Sequence, residues 1–567
     1  MKVTCLLASL GLAATLSAKS PKLSKDLGAT AGSVDVVVQF RTDSETTRSG
    51  KIGRRGGRVK RDLGPIKAAA VTMPAAELEA LASDPDVAYI TPDRPVRASA
   101  DFAQKVGETA TLYTANFRGG SVGVAVIDSG ISEHVDLADG SVKRVVYSQT
   151  FAGGNTSDAY GHGTHVAGII AGNGTVSSAA TYLSPLRGIA PKVNLINLKV
   201  LDGKGEGTDS NVIAAINRAV ELKAQYNIRV INLSLGRPVF ESFRTDPLCR
   251  AVEAAWKAGI TVVVAAGNSG RYQPTSGYST INAPGNSPWV ITVGALRTKD
   301  TTSRGDDDVA TYSSKGPSLV DQIVKPDLLA PGNLITSVSA TGNFLYNTYS
   351  STRISNASLS KVYVGGVSQD YFNLSGTSMA APVVSGAAAL LIQKTPSLTP
   401  DLVKARLMRT ASKALPASTS WQDPLTCDMF TTYNDIFTTG AGALDINAAM
   451  NDTATGTGAA LSPRAYYDAA TNQVRIAYDS VAGVNIVWGT DIVWGTNIVW
   501  GTNIVWGTNI VWGTNILWGT ASASGFNIVW GTTSPFASSN LGPSGNQISP
   551  VNVLTGGELG TGCIASM

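Results

Sequence analysis

The sequence contains few histidines and few cysteines. Its 567 residues include three histidines and four cysteines. Cys5 lies in the N-terminal segment, which leaves Cys249, Cys427 and Cys563 in the rest of the chain. Three cysteines allow at most one disulfide in an exported protein, and the sequence does not identify the pair. A reaction that needs a histidine base also has few candidates.

Charge is scarce as well. Charged residues make up 15% of the chain and hydrophobic residues 43%, so a large core is easy to build and wholesale disorder is excluded. The formal net charge is +4; residues 19–98 contribute +4, Lys2 contributes +1, and residues 99–567 carry −1. This nearly neutral bulk argues against a nucleic acid or an anionic membrane as a partner.

Long apolar runs are missing, and the one short run lies at the N-terminus. Lys2 precedes the apolar residues Val3–Leu16, and Ala18 is a small residue at a plausible cleavage point. The run is shorter than the ~20 residues that span a bilayer, and no later stretch is long enough. We therefore predict that Met1–Ala18 is a signal peptide and that the protein is secreted, without a transmembrane segment.

The pattern of apolar residues separates a small module from a large α/β region. Residues 33–98 have a strand–helix–strand pattern, with a helix predicted over Pro74–Ala82. Residues 122–450 alternate buried strands with amphipathic helices, which predicts a mostly parallel sheet covered on both faces. The predicted strands are Val122–Ile127, Asn194–Leu201, Arg229–Leu235, Ile260–Ala266 and Trp289–Ala295, and the predicted helices are Asp209–Lys223, Pro247–Lys257 and Ser378–Gln393.

The C-terminal region contains a strict repeat. Residues 452–484 are rich in Thr, Gly, Ala and Asp, which predicts a linker, and residues 533–567 have the composition of a flexible tail. Between them, residues 485–532 form eight hexads of Asn-Ile-Val-Trp-Gly-Thr, one of them degenerate. An even period keeps equivalent side chains on one face of a strand, and one unbroken strand would span roughly 160 Å. We therefore predict a β-solenoid or stacked β-sheet with corners at Gly-Thr.

Four segments combine residue types that serve nucleophilic catalysis. Asp128 ends an apolar strand, His162 opens a glycine-flanked helix, Asn268 follows a buried strand, and Ser378 opens a small-residue helix. A serine hydroxyl needs a base to take its proton, and His162 is the candidate. Asp128 would orient the imidazole, and Asn268 with the Ser378 N–H would stabilise an oxyanion.

Each residue alone has a simpler interpretation. A strand-end Asp is often a cap or turn residue, and Gly-Thr-Ser is a common helix start. Among the other histidines, His134 lies in a polar loop. His165 is three residues after His162, on the same face of the helix, where packing or hydrogen bonding is the expected role. The combination of four segments in the order Asp, His, Ser is what favours catalysis.

These segments resemble the subtilisin family of serine proteases over residues 105–450. The shared motifs also include Asn232–Gly236, Tyr312–Pro317, Lys325–Gly332 and Gly440–Asn447. The resemblance implies a three-layer α/β domain in which Asp128, His162 and Ser378 are the triad and Asn268 is the oxyanion donor. It also implies that Ser234, Leu235 and Gly236 form a substrate-binding strand, and that Ala265 and Gly267 line the specificity pocket.

The same resemblance implies a precursor. Residues 19–98 resemble the family's inhibitory propeptide, a small α/β module that assists folding, with self-cleavage expected near Ala98–Phe102. The catalytic domain then covers 99–451. No cofactor is required by this chemistry. Structural calcium is left open at Asp136 and the loop after Gly172, because a capping or turn role explains a lone Asp equally well.

Two functions remain for comparison. The first is a secreted serine endopeptidase that acts on proteins or peptides through an acyl-enzyme, with its own propeptide as inhibitor. The second is a surface or adhesive protein whose repeat contacts cells or polysaccharide, and whose protease domain serves maturation. Seven of the ten tryptophans lie in the repeat, so a surface that stacks on sugars is an alternative to a purely structural or secretion-related role. The intact set of Asp128, His162, Asn268 and Ser378 favours the enzyme.

Overall fold

The chain divides into two folded units, residues 1–92 and 93–567. The structure, a computed structural model, describes residues 20–27, 32–42, 44–98, 116–299, 301, 303–362, 364–424, 426–468, 473–477, 486–488, 492–494 and Glu558. The predicted signal peptide and most of the repeat therefore lie outside the described residues. Within the described part, no helix is both long enough and apolar enough to cross a membrane.

The first unit is a four-stranded antiparallel sheet with two helices. Its elements are β1 (Ser33–Phe40), α1 (Glu45–Gly53), β2 (Arg58–Leu63), β3 (Ala68–Pro74), α2 (Leu78–Ala82) and β4 (Val87–Pro92). The strand order is β2-β3-β1-β4. One apolar face of this sheet packs on the helices, with Val36, Val38 and Ile52 fully buried. The helix predicted from Pro74 begins at Leu78, after a short 3-10 turn over Ala75–Glu77.

The second unit contains the other elements. Its strands are β5 (Pro95–Ala98), β6 (Gly123–Asp128), β7 (Ala138–Asp139), β8 (Val142–Lys143), β9 (Val145–Thr150), β10 (Asn194–Lys199), β11 (Glu206–Thr208), β12 (Ile228–Leu233), β13 (Leu235–Gly236), β14 (Thr261–Ala265), β15 (Ile291–Arg297), β16 (Asp308–Val309), β17 (Leu328–Pro331), β18 (Ile335–Val338), β19 (Arg353–Ser355), β20 (Val367–Leu374), β21 (Ser418–Gln422), β22 (Met429–Tyr433), β23 (Arg464–Asp468), β24 (Gln473–Ala477), β25 (Ile486–Trp488) and β26 (Ile492–Trp494). Its helices are α3 (His162–Ala171), α4 (Asp209–Glu221), α5 (Lys223–Tyr226), α6 (Pro247–Lys257), α7 (Phe344–Thr348), α8 (Asn356–Leu359), α9 (Thr377–Lys394), α10 (Pro400–Thr410), α11 (Ile436–Thr439) and α12 (Ile446–Asn451).

The core of the second unit is an eight-stranded sheet, which matches the predicted mostly parallel architecture. Its order is β16-β15-β14-β12-β6-β10-β9, with β17 also paired to β15. All of these pairings are parallel except that of β15 with β16. The strands β6 and β14 are buried along their whole length, as expected for a sheet covered on both faces. The predicted strand Arg229–Leu235 divides, because β12 ends at Leu233 and Leu235 begins β13.

Helix α9 lies in the interior of this unit. All residues from Thr377 to Ile392 are buried, and the helix contacts α3, β12, β14 and β15. A helix buried on every side has no polar face, which explains why its sequence consists of small and apolar residues. The chain thereby brings the residue at the start of α9 to the carboxyl edge of the sheet.

The segment predicted as a linker is partly folded onto the second unit. Ser462 is buried, and its hydroxyl donates to Asp327 Oδ1 at 2.6 Å and accepts from Lys404 Nζ at 2.8 Å. Lys325 Nζ completes this buried cluster at 2.6 Å from Asp327 Oδ2. Further along, the Ala465 N–H donates to the Gln322 carbonyl oxygen. The described residues 454–468 and 473–477 therefore belong to the second unit and do not simply connect it to the repeat.

One residue of the predicted flexible tail is buried in the second unit. Glu558 Oε1 accepts from the Thr311 N–H at 2.8 Å and from Arg271 Nη2 at 2.6 Å, and its Oε2 lies 3.1 Å from Arg297 Nη1. The Glu558 N–H donates to Asn333 Oδ1 at 2.9 Å. The chain that follows the repeat therefore returns to the second unit at this residue.

The first two hexads of the repeat contribute short strands. β25 and β26 pair antiparallel, with Val487 opposite Val493. The later hexads lie outside the described residues, so the solenoid and the corners at Gly-Thr stay predictions. Among the cysteines, Cys249 is free and buried, whereas Cys427 is disulfide-bonded.

We expect residues 452–477 to be required for stability. A chain that ends at residue 451 loses the Ser462 hydroxyl and the Ala454 carbonyl oxygen that accepts from Arg406. Buried polar groups left without partners cost about 1–3 kcal/mol each. The midpoint of thermal unfolding should fall by roughly 5 °C or more relative to a chain that ends at residue 484.

Both truncations should be compared in a Ser378→Ala background, which suppresses the self-cleavage that the family resemblance implies. The two chains lack Glu558 and the repeat alike, so the difference between them isolates residues 452–484. Equal unfolding midpoints would show that the segment is a dispensable linker after all.

Candidate active site

Several strands of the parallel sheet end at one edge, and the predicted site residues follow those ends. Asp128 is the last residue of β6, Ser234 follows β12, and Asn268 comes three residues after β14. The carboxyl ends of parallel strands are the usual place for functional groups in an open α/β sheet. The fold thus accounts for the location of three predicted residues.

Asp128 and His162 form a buried pair. His162 Nδ1 lies 2.6 Å from Asp128 Oδ1, and both side chains are 0% exposed. The Ser129 N–H also donates to Asp128 Oδ1, at 2.7 Å. A carboxylate accepts the hydrogen bond from Nδ1–H, which assigns the tautomer whose Nε2 carries the lone pair. Nε2 is then the atom able to act as a base.

Two glycines let the chain around His162 pack closely against its neighbours. Gly161, directly before His162, has φ of 105°, and a Cβ there would lie 2.3 Å from Asn343 Oδ1. A Cβ at Gly163 would lie 2.2 Å from the Gly130 carbonyl oxygen. Any larger residue at either position would move the start of α3, and His162 with it.

Asp158 is a supporting residue that the sequence analysis misses. Its Oδ1 accepts from Ser129 Oγ at 2.8 Å and from the Gly161 N–H at 2.7 Å, and its Oδ2 accepts from the Thr164 N–H at 2.7 Å. Burial raises the pKa of this carboxyl group, while the same hydrogen bonds oppose the rise. One side chain therefore ties the residue after Asp128 to the first turn of α3. The signal in the sequence is an Asp four residues before His162, in the range of a helix cap.

Ser378 lies at the start of α9 and is tied to the end of β12. Its hydroxyl donates to the Ser234 carbonyl oxygen at 2.9 Å, and the Ser234 hydroxyl donates to the Ser378 carbonyl oxygen at 2.6 Å. Both side chains are buried. These reciprocal bonds place the candidate nucleophile beside the first residue of the predicted substrate-binding segment.

Asn268 is oriented by the residue next to Ser378. Its Oδ1 accepts from the Thr377 N–H at 2.9 Å and from Thr377 Oγ1 at 3.2 Å. Thr377 Oγ1 also accepts from the Gly267 N–H at 2.9 Å. With Oδ1 acting as acceptor on the Thr377 side, the Asn268 Nδ2 group is presented as a hydrogen-bond donor. The structure thus brings Asn268, Gly267 and the start of α9 together.

Two of the predicted substrate-binding residues, Leu235 and Gly236, lie beside an extended segment of the chain. Arg97 of β5 pairs antiparallel with Gly236, and Ala98 pairs with Leu235. On the other side of β5, Glu206 pairs with Arg97 and Gly207 with Val96. β5 is therefore the middle strand of a three-stranded sheet. Strand β11 is not among the strands predicted from the sequence. The signal for it is the glycine-rich run Gly203–Gly207, where small residues permit close backbone approach.

The other two histidines have structural partners. His165 Nε2 donates to the Ile335 carbonyl oxygen at 3.0 Å, and its ring contacts Phe372 edge to face at 5.0 Å. Burial and the neighbouring His162 lower the pKa of His165 to about 3, so it stays neutral. His134 Nδ1 accepts from the Asp136 N–H at 3.1 Å. His165 packs and hydrogen-bonds, as its spacing from His162 predicts.

Asp136 is the residue considered for structural calcium, which stays a prediction. Its Oδ1 accepts from the Val176 N–H at 2.9 Å, and its Oδ2 accepts from the Tyr371 hydroxyl at 2.5 Å. Hydrogen-bond donors thus occupy both oxygens of the residue considered for calcium. Among the described residues, no group of three or more His, Cys, Asp or Glu side chains could hold a metal ion.

The comparisons with known proteins agree with this geometry. The model of the subtilase family matches residues 119–434, more than half of the chain. The chain belongs to the subtilase family. It is 40% identical over 334 residues to serine protease AprX of Bacillus subtilis (strain 168), which covers 57% of this chain and 68% of that protein. It is 33% identical over 388 residues to subtilisin E of the same strain, which covers 66% of this chain and 84% of that protein.

A solved structure extends the comparison to the fold of this subtilase. Fervidolysin from Fervidobacterium pennivorans, described as a keratinolytic enzyme related to subtilisin, gives a TM-score of 0.55 at 23% identity. The match covers 77% of this chain and 64% of the fervidolysin chain. The predicted subtilisin-like α/β fold is confirmed, and this subtilase is a serine endopeptidase.

We expect Asp158 to stabilise the site of this subtilase. In Asp158→Ala, the Ser129 hydroxyl and the Gly161 and Thr164 N–H groups lose their acceptor inside the protein. The free energy of unfolding should fall by about 3 kcal/mol, the expected order for buried donors left without partners. Urea denaturation of the variant in a Ser378→Ala background measures the loss, with Asp158→Asn as the control that retains one acceptor. A change below about 0.5 kcal/mol would contradict this role.

Proposed function

We propose that the chain is the precursor of a secreted endopeptidase that removes its own N-terminal region and then cleaves other proteins. Asp128, His162 and Ser378 are the catalytic triad, and Asn268 is the oxyanion donor. The single observation that best supports self-processing is the pairing of β5 with β11 and β13, because the chain itself lies in an extended conformation beside Ser234. The N-terminal signal-peptide pattern supports secretion.

Acyl transfer follows from the residues around Ser378. His162 Nε2 takes the proton of the Ser378 hydroxyl as the oxygen attacks the substrate carbonyl carbon, and later gives it to the leaving amine. A water molecule then releases the acyl group by the same proton transfers in reverse order. Asp128, 2.6 Å from Nδ1, holds the ring orientation and stabilises the imidazolium that forms. Its burial strengthens this interaction, since little water competes for it.

The oxyanion of the tetrahedral intermediate needs donors that are already in place. The Asn268 Nδ2 group is one, because the hydrogen bond from Thr377 to Oδ1 fixes the amide orientation. The Ser378 N–H is the second, because it lies in the first turn of α9, where backbone N–H groups have no partner within the helix. Both donors gain strength as charge develops on the oxygen.

The register of β5 indicates which bond is cut. Ala98 is opposite Leu235, so a chain that continues the antiparallel register by one residue brings its next carbonyl group to Ser234. The Ser234 carbonyl oxygen accepts from Ser378 Oγ. In this sequence the next residue is Ser99, and we take Ser99–Ala100 as the processing site. It lies within the range Ala98–Phe102 expected from the sequence.

Asp93, which lies two residues before β5, supports the assignment of this segment to the end of the propeptide. Asp93 Oδ1 accepts from the Ser210 N–H at 2.8 Å, and its Oδ2 accepts from the Ser210 hydroxyl at 2.5 Å. Ser210 lies in the first turn of α4, so the carboxylate is favoured by the helix dipole. Asp93–Ala98 therefore act as the inhibitory end of the propeptide, which holds the substrate cleft until the N-terminal region leaves.

We expect Ser378→Ala to block processing. Without the hydroxyl no acyl-enzyme forms, so the variant should keep its N-terminal region when expressed in a protease-free host. Intact mass and N-terminal sequencing of the wild-type and variant proteins measure this directly, and the wild-type product should begin at Ala100. A Ser378→Ala product that begins at Ala100 would show that another protease cuts the chain.

We expect Asn268→Asp to lower turnover with little effect on the fold. Asp retains an oxygen that accepts from Thr377 but has no Nδ2 donor. The loss in kcat should be about 10²–10³-fold, the magnitude known from removing this type of donor in a subtilisin. Steady-state kinetics on a short peptide, with thermal unfolding as the folding control, tests the role. A loss below about fivefold would remove Asn268 from the oxyanion hole.

A further inference from the structure

Arg94, in the segment before β5, forms a buried ion pair with Glu241. Arg94 Nη1 lies 2.6 Å from Glu241 Oε1, and the two side chains are 4% and 5% exposed. The Arg94 guanidinium also lies over the Phe240 ring, 5.0 Å from its centroid. A carboxylate and an aromatic face together make a site suited to a planar cation.

The surroundings of Glu241 contain an excess of negative charge. Arg237 Nη2 lies 2.8 Å from Asp209 Oδ2 and 2.9 Å from Asp246 Oδ2, and all three side chains are buried. Glu241 interacts electrostatically with the same Arg237, and Arg94 with the same Asp209. Among the described residues, Asp209, Asp246 and Glu241 all interact with Arg237, and Arg94 adds a second positive charge to this group.

The backbone of Arg94 is in register with the substrate cleft. Its carbonyl oxygen accepts from the Asp209 N–H at 2.8 Å, directly before β5 pairs with β11. Arg94 is three residues before Arg97, which lies opposite Gly236. With the bond Ser99–Ala100 as the processing site, Arg94 is the sixth residue before the cut. Any substrate bound in the same register places its own sixth residue beside Glu241.

We propose that Glu241 and Phe240 form a substrate-binding subsite for an arginine side chain at the sixth position before the scissile bond. In the precursor, Arg94 occupies this subsite, and once the N-terminal region leaves, the subsite selects protein substrates with arginine at that position. The assignment rests on the register of the proposed function. It adds a specificity determinant outside the strands β11 and β13 that bind the residues nearest the cut.

Arginine fits the subsite better than lysine. Its planar guanidinium donates to Glu241 while its face stacks on Phe240, whereas an ammonium group is a compact and strongly hydrated charge. A charge-assisted hydrogen bond at a buried site is stronger than a neutral one, and its loss corresponds to a change in kcat/KM of about 10- to 100-fold. A substrate with lysine at the sixth position should fall between those with arginine and glutamine.

The test uses the processed enzyme obtained from the full chain and internally quenched peptides that copy residues 91–103. The peptides are the natural sequence, Arg94→Gln, Arg94→Lys and, as a matched control of equal charge change, Arg97→Gln. Each is assayed with the wild-type enzyme, with Glu241→Gln and with Phe240→Leu. The quantity compared is the ratio of kcat/KM for the natural peptide to that for each variant peptide, so each enzyme serves as its own reference.

We expect the Arg94→Gln peptide to lose at least tenfold in kcat/KM with the wild-type enzyme and twofold or less with Glu241→Gln. The loss for the Arg97→Gln peptide should be the same with both enzymes. Phe240→Leu should reduce the preference for arginine over lysine. If Glu241→Gln does not fold, the Phe240→Leu result and the wild-type comparison of Arg94→Gln with Arg97→Gln decide the question.

Two different failures can be distinguished by mass spectrometry of the cleaved peptides. Cleavage at Ser99–Ala100 with equal ratios in wild type and Glu241→Gln would overturn the subsite alone. Cleavage at another bond, or no cleavage by an enzyme that still degrades casein, would overturn the register and therefore both the processing site and the subsite. An enzyme without activity on casein or any peptide would instead contradict the proposed function.

Discussion

The contact between Asp128 and His162 is the interaction on which the rest of the site depends. A carboxylate at the end of a fully buried strand costs several kcal/mol unless charge and hydrogen bonds compensate it. Here His162 Nδ1 at 2.6 Å and the Ser129 N–H at 2.7 Å provide that compensation. The contact requires α3 to begin almost against the end of β6, which explains Gly163, where a Cβ would lie 3.2 Å from Asp128 Cβ. Once the imidazole is fixed, the start of α9 must bring Ser378 to the same edge of the sheet.

The buried carboxylates of the second unit differ in what donates to them, and this difference separates structural from chemical roles. Asp158 accepts from one hydroxyl and two backbone N–H groups, and Asp136 accepts from the Val176 N–H and the Tyr371 hydroxyl. Burial and the Asp136 carboxylate raise the pKa of Tyr371. The Tyr371 hydroxyl therefore stays protonated and keeps its hydrogen bond to Asp136. Asp128 alone in this comparison has an imidazole ring as its partner. Its hydrogen bond changes strength when the imidazole gains a proton, which is what a catalytic carboxylate requires.

The sequence predicts the fold and the enzyme class correctly, and the supporting contacts less well. Asp128, His162, Asn268 and Ser378 lie at or near strand ends and helix starts, so local pattern and residue type suffice to single them out as candidates. Helix α6 begins and ends at the predicted residues because proline and an Asp cap define its start. Strand β11, the bond from Ser129 to Asp158 and the bond from Ser462 to Asp327 join residues that lie 29 to 135 positions apart in the chain. Glu558 follows the repeat and a stretch rich in Ser, Gly, Pro and Asn, and this composition alone predicts a tail there. Such contacts arise from tertiary packing, which periodicity cannot reveal.

In the proposed precursor, the contacts of the segment Asp93–Ala98 serve two opposing demands. While it is attached to the catalytic unit, it competes for the cleft at the high effective concentration of a tethered ligand. Once the Ser99–Ala100 bond is cut, the advantage of the tether ends. Continued inhibition then depends on the contacts of the segment itself. The backbone pairing with β11 and β13 is available to any substrate, so it cannot distinguish the propeptide from other chains. The contacts of Asp93 with the N-terminus of α4 and of Arg94 with Glu241 can distinguish them, because both contacts require particular side chains at fixed positions. A cleft that recognises these side chains selects its substrates more narrowly, but it also releases its own propeptide more slowly, so specificity and activation are coupled through Glu241.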